Sequence, residues 1–135
     1  MIVVDTTVWI HFLRGSETPE DHHLQQLILE DRPIALTDLI YCEILQGIRE
    51  DTHYERIRNI LLHYPILRMA TLETVEQGAK IYRACRRRGL TIRKTIDCLI
   101  ASVCIENDFE LFHNDSDFNL IAKATSLQIY RIPSA

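Results

Sequence analysis

Met1-Ile2-Val3-Val4-Asp5-Thr6-Thr7-Val8-Trp9-Ile10 decides how the rest of the chain is read. Three apolar, partly β-branched residues followed by an acid and two hydroxyls spell a short buried strand that stops at a helix start. Thr6 or Thr7 is expected to cap the helix carrying Trp9 and Ile10. In an open α/β sheet such a junction lies at the carboxyl edge of the strand, where ligands bind, so Asp5 is a candidate for chemistry from the outset.

Working outward, Glu20 to Asp31 carries Leu24, Leu27 and Ile28 at helical spacing, and Pro33-Ile34-Ala35-Leu36 reads as a second strand. Thr37 or Asp38 can cap a helix with an Ile40, Tyr41, Ile44, Leu45, Ile48 stripe. Another amphipathic helix runs from Asp51 to His63 and is stopped by Pro65, after which Ile66 to Met69 is strand three. A long helix through Val75, Ala79, Ile81 and Tyr82 starts at Thr71 and ends at Gly89. Thr95 to Glu106 is helical, Phe109 to Phe112 is strand four, Asn114 to about Ala124 is a short helix, and Leu127 to Ile132 is the last strand. Strands separated by helices predict parallel pairing with right-handed crossovers. The expectation is a single domain over residues 1–135.

Composition narrows the classes. With 47% hydrophobic and 25% charged residues in 135, one compact core can form without a staple. Cys42, Cys85, Cys98 and Cys104 show no Cys-x-x-Cys spacing, so they are expected to be reduced core thiols of a cytoplasmic protein. The longest apolar run, Ile96 to Ile105, is about half a membrane span and contains Asp97, and Asp5 interrupts any signal-like opening, so no membrane partner is expected. A net charge of -4, from 19 acids against 15 bases, excludes binding to nucleic acid through bulk positive charge and leaves room only for a local basic patch.

Asp97 is the most informative acid, since it sits in Thr95-Ile96-Asp97-Cys98-Leu99-Ile100-Ala101, a helix apolar on nearly every face, where an ionised carboxylate is costly to bury without a partner. The plainer alternative is a helix-start acid paired with Arg93 or Lys94. Glu43 lies off its helix's apolar stripe, and Asp115 and Asp117 follow strand four as ordinary turn or cap acids would. Together they say more. Asp5 and Asp115 end strands, while Glu43 and Asp97 are placed in the first turns of helices beginning near the same edge, so four carboxylates can face one crevice. Two unit charges about 4 Å apart repel by roughly 4 kcal/mol at an effective dielectric of about 20, so such a cluster calls for a divalent cation or raised pKa values. Oxygen-only ligands suit Mg²⁺ or Mn²⁺ with a substrate phosphate, and the matching reaction is phosphodiester hydrolysis. Thr7 is placed to support a ligand carboxylate or a phosphate oxygen.

The stretches Val4-Asp5-Thr6-Thr7-Val8-Trp9-Ile10, Tyr41-Cys42-Glu43-Ile44, Thr95 to Ala101 and His113-Asn114-Asp115-Ser116-Asp117-Phe118 resemble, in order, the four acidic motifs of PIN-domain ribonucleases, and in particular the VapC toxins of bacterial toxin-antitoxin pairs. The resemblance implies a PIN-like three-layer α/β/α fold with a mostly parallel central sheet of four to five strands. It implies a Mg²⁺-dependent endoribonuclease, usually a homodimer, held inactive by a VapB-type antitoxin whose C-terminal segment fills the groove. Carried over, Asp5 and Asp97 are principal metal ligands, Glu43 and Asp115 complete the catalytic acids, and Asp117 supports. The last motif offers two acids, of which Asp115 is favoured for the site.

Arg83, Arg86, Arg87, Arg88, Arg93 and Lys94 gather before Asp97, with Arg93 and Lys94 the stronger candidates for RNA phosphates. The six histidines lack ligand spacing, and His113 is expected to make a structural hydrogen bond. Trp9 and Phe12 are expected in the core. Two other classes compete. A phosphoacceptor signalling domain needs an aspartate after strand three, which Ile66 to Thr71 lacks; an inactive PIN-like module that binds RNA or a partner without cutting is opposed by the presence of all four acids.

Overall fold

The structure is a computed structural model, described here for residues 1–134. Four short parallel strands, β1 (Ile2–Val4), β2 (Ile34–Thr37), β3 (Ile66–Leu67) and β4 (Glu110–Phe112), form one sheet in the order β3-β2-β1-β4. The first connection carries α1 (Thr6–Arg14) and α2 (Pro19–Leu29), and the second carries α3 (Asp38–Gln46) and α4 (Asp51–Leu61). The return to β4 carries α5 (Leu72–Arg87) and α6 (Thr95–Asn107), and α7 (Ser116–Ala124) follows the last strand. Right-handed crossovers put α1 to α4 on one face and α5 and α6 on the other, giving three layers. Packing agrees: α1 meets α2 and α3, whereas α5 meets α6 and α7.

Register matters more here than strand length. Ile2 pairs with Ile34 and with Glu110, and Val4 pairs with Phe112, so β1, β2 and β4 end nearly level. The Asp5 amide donates to the Phe112 carbonyl at 2.9 Å and extends the ladder one step past β1. The chain steps from β1 to β2 to β3 in one direction and then crosses back to β4 on the other side of β1, so the crevice between β1 and β4 is the topological switch point. Val3, Val4, Val8, Trp9, Leu36, Leu111 and Phe118 fill the core beneath that edge.

Local chemistry accounts for most element ends. Asp5, not Thr6 or Thr7, caps α1, its carboxylate accepting from the Thr7 amide at 3.2 Å, because Thr6 and Thr7 are already inside the helix. Thr18 caps α2 with Pro19 at the first helical position, and Thr37 caps α3 through the Ile40 amide at 3.1 Å. Thr71 occupies the cap position of α5 without making the cap bond, its hydroxyl lying 3.5 Å from that of Thr74. Gly89, at φ 73, supplies the left-handed turn that ends α5, with the Leu90 amide returning to the Cys85 carbonyl.

Three expectations need correction. The segment Leu127 to Ile132 is not a fifth strand: it meets β4 only where Ile129 bridges to Leu111, the Leu111 amide donating to the Gln128 carbonyl and the Tyr130 amide to the Leu111 carbonyl. Strand three stops at Leu67 rather than Met69, where the Met69 amide donates to the Asp38 carboxylate instead of a ladder. Cys42 is exposed while Cys85, Cys98 and Cys104 are buried, because position 42 faces away from the α3 stripe. On α5 the buried stripe is Thr74, Gly78, Ile81 and Cys85, and Val75 is exposed. Gly78 marks the close approach of α5 to α6: a Cβ there would stand 2.6 Å from Leu99 Cδ2, so a larger residue requires the Leu99 side chain to shift. Among the described residues no helix is long and apolar enough to cross a membrane.

Candidate active site

Asp5 emerges from the central strand at the switch point and is almost wholly buried, at 3% exposure. Its Oδ2 accepts from the Thr7 amide and, at 2.7 Å, from the Thr7 hydroxyl. The same Thr7 hydroxyl oxygen accepts from the Asn114 amide at 2.9 Å, which ties the start of α1 to the loop after β4. Burial pushes the Asp5 carboxyl up to about 6, the Thr7 hydrogen bonds pull it down, and the Glu43 carboxylate raises it again.

Glu43 lies in the second turn of α3 rather than its first, six residues into the helix. From there it reaches inward, not to solvent: Thr6 donates its hydroxyl hydrogen to Glu43 Oε1 at 2.8 Å. Sequence reading misses Thr6 as a site residue. Its only signal was a second hydroxyl beside Asp5, and a helix cap accounts for that equally well.

Asp97 falls in the first turn of α6, at 2% exposure, with Oδ2 buried and without a hydrogen-bond partner. Burial raises its carboxyl to about 7; Lys94 opposes the rise, and the charges of Asp5, Asp115 and Glu43 reinforce it. The four acids named from the sequence are thus brought to one edge, near enough to repel one another. Lys94 Nζ lies 3.9 Å from Glu43 Oε2 and 4.0 Å from Asp97 Oδ1.

Asp115 and Asp117 divide the work at the start of α7. Asp115 caps the helix through the Asp117 amide at 3.0 Å and accepts from the Arg93 guanidinium at 3.2 Å. Asp117 lies deeper, and its Oδ2 accepts from both the backbone amide and Nε of Arg93, at 3.2 and 3.1 Å. Of the two, Asp115 is the one whose charge acts on Asp97. His113 Nδ1 accepts from the Asp115 amide at 3.0 Å, which fixes the neutral ring with hydrogen on Nε2; burial lowers its pKa in the same sense.

The basic run before the site separates in the structure. Arg93 and Lys94 face the acids, whereas Arg86 lies over the Tyr82 ring at 5.8 Å and Arg88 donates to the Lys123 carbonyl, both away from the crevice. Trp9 is buried and Phe12 packs edge-on against it, at 5.9 Å between ring centres.

Does the donor set suit a divalent cation? Every donor is a carboxylate oxygen, four negative charges share a poorly solvated edge, and Asp97 Oδ2 is a buried anionic acceptor with nothing to satisfy it, all of which a hard cation would relieve. Among the described residues, no three His, Cys, Asp or Glu side chains are drawn together tightly enough to form a ready-made ligand cage. Mg²⁺ asks for less than a cage, since it keeps several waters and uses one or two protein carboxylates.

A parallel α/β sheet with a carboxylate-lined switch point defines the class of protein. The chain belongs to the PIN domain family, whose model matches residues 2–124. It is similar to ribonuclease VapC11 of Mycobacterium tuberculosis and to VapC ribonuclease Mb1587 of Mycobacterium bovis, 33% identical over 129 residues in each case, covering 95% of this chain and 96% of the relative. Among solved structures, VapBC2 from Rickettsia felis bound to a DNA fragment from their promoter matches with a TM-score of 0.76 at 18% identity, over 96% of this chain and 98% of that one. Mycobacterium tuberculosis VapC20, described as a Sarcin-Ricin loop cleaving toxin, matches at 0.62 and 15% identity, over 95% and 99%. At these identities the structural likeness is one of fold.

Proposed function

We propose that the chain is a Mg²⁺-dependent endoribonuclease, the toxin of a toxin-antitoxin pair, folded as a single PIN domain and acting as a homodimer under control of a VapB-type antitoxin. The observation that carries this reading is Asp97: a buried carboxylate with an unsatisfied oxygen, facing Asp5, Glu43 and Asp115 across the switch point. The ribonuclease names of the relatives at 33% identity support the choice of RNA, and the VapBC complexes among the solved structures support the choice of partner.

Asp5 and Asp97 would hold the cation, and Mn²⁺ is expected to substitute for Mg²⁺. When bound, the ion supplies charge neutralisation at the scissile phosphate and acidifies the attacking water. The chain's own groups do the positioning. Thr7 fixes Asp5 by two hydrogen bonds, which leaves the other carboxylate oxygen to face the crevice. Thr6 occupies Glu43 Oε1, so Oε2 is the oxygen left to orient a water or take its proton. Asp115 completes the acidic wall, Asp117 supports it by holding Arg93, and Arg93 with Lys94 is placed to meet RNA phosphates on the solvent side.

The test is RNA cleavage by purified protein with Mg²⁺ or with EDTA, alongside Asp5→Asn and Asp97→Asn. Cleavage that needs the cation and disappears in both variants, with circular dichroism unchanged, is the expected result. Full activity in EDTA, or in either variant, would refute the reading.

A further inference from the structure

The two cations at the site are held in opposite ways. Arg93 is gripped: its backbone amide and Nε both donate to Asp117 Oδ2, and a terminal guanidinium nitrogen donates to Asp115. Lys94 is not. Its ammonium stands 3.9 Å from Glu43 Oε2 and 4.0 Å from Asp97 Oδ1, beyond hydrogen-bond length from either, and its side chain is 51% exposed. Its backbone is nevertheless fixed, since Lys94 flanks α6 and its carbonyl accepts from the Asp97 amide at 3.1 Å. The side chain can therefore swing to solvent without moving the helix or the acids.

A single positive charge hovering between two carboxylates from different helices neutralises the charge that a divalent ion would neutralise better. Among the described residues, Lys94 is the one cation within 4 Å of the Glu43 and Asp97 carboxylates, although Arg14 and Arg49 line the same groove as Glu43. Arg93 is committed to Asp115 and Asp117, while Thr6 and Thr7 are uncharged donors to Glu43 and Asp5. From this contrast we propose that Lys94 is an internal counter-ion of the acidic site, displaced when the divalent cation binds and then free to engage the RNA backbone. The site is in this way held together before loading, and the group that holds it becomes a substrate contact afterwards. The proposal rests on the metal-site reading above.

The test is Mn²⁺ binding, followed by the electron paramagnetic resonance signal of the free ion, for the wild type, Lys94→Met and Lys94→Arg at a pH of about 8.5, where the carboxylates are ionised. Methionine keeps the length and apolar stem and removes the charge. Lys94→Met is expected to bind Mn²⁺ tighter by on the order of five-fold, the scale set by losing one exposed ion-pair competitor, and Lys94→Arg is expected to stay near the wild type. In EDTA, Lys94→Met should melt below the wild type, and its rise in Tm on adding Mn²⁺ should be the larger of the two. Equal or weaker Mn²⁺ binding by Lys94→Met overturns the role of Lys94 alone. No Mn²⁺ binding by any of the three proteins overturns the metal site, and this proposal with it.

Discussion

Asp97→Asn should make the metal-free protein more stable at pH 8 while abolishing its cleavage of RNA. Burial and three neighbouring carboxylates lift the Asp97 carboxyl from 3.8 to about 7 in the folded chain. With the folded value above the unfolded one, the native state has its full relative stability below about pH 4 and loses it as the pH rises toward 7. At 1.36 kcal/mol per pH unit, a lift of about three units comes to roughly 4 kcal/mol once the group is ionised. Asparagine keeps the shape and removes the charge, so in EDTA the gain at pH 8 should be about 2–4 kcal/mol, the lower figure allowing for an amide left short of partners. Near pH 4 the two proteins should differ by less than about 1 kcal/mol. Urea unfolding at both pH values with EDTA measures this, and adding Mn²⁺ should narrow the gap at pH 8 by stabilising only the wild type. A variant no more stable than the wild type at pH 8 would mean that the carboxylate is not strained as the geometry requires.

Three further substitutions probe other parts of the structure. Thr7→Val removes the donor to Asp5 and the acceptor for the Asn114 amide; it should lower stability by about 1–3 kcal/mol in thermal unfolding and metal affinity by about 10–100-fold in Mn²⁺ titration. Gly78→Ala drives a methyl into Leu99 and should cost about 1–3 kcal/mol in urea unfolding with little effect on the cleavage rate per folded molecule. If Arg93 meets an RNA phosphate, Arg93→Gln should weaken RNA binding and reduce the slope of log affinity against log salt by about one unit, whereas an unchanged slope would assign Arg93 to Asp115 and Asp117 alone.

The elements that sequence reading recovers are those with a strong local signature. Apolar Ile2 to Val4 ending at Asp5, the Thr37 cap and the Gly89 terminator each rest on chemistry within a few residues. Asp97 could be singled out because a lone acid in an apolar helix is conspicuous in sequence as well as in space. What sequence reading loses depends on distant contacts. Thr6 bonds Glu43 across 37 positions, so neither residue shows that the other will turn it inward. The buried face of α5, with Thr74 and Gly78 against α6, is set by that close packing, which apolar spacing along the chain does not reveal. Ile129 forms one bridge rather than a strand, because pairing depends on how the segment meets β4 and β-propensity does not encode that.

That Asp5 is both a site acid and the cap of α1 has a practical outcome. Its Oδ2 accepts directly from the peptide N–H of Thr7, so any change in electron density on that carboxylate is passed to a single main-chain proton. The Thr7 amide is accordingly a spectroscopic probe already wired to the crevice. Its nitrogen-15 and proton resonance frequencies should track occupancy during a titration with a diamagnetic ion, and no engineered label is needed.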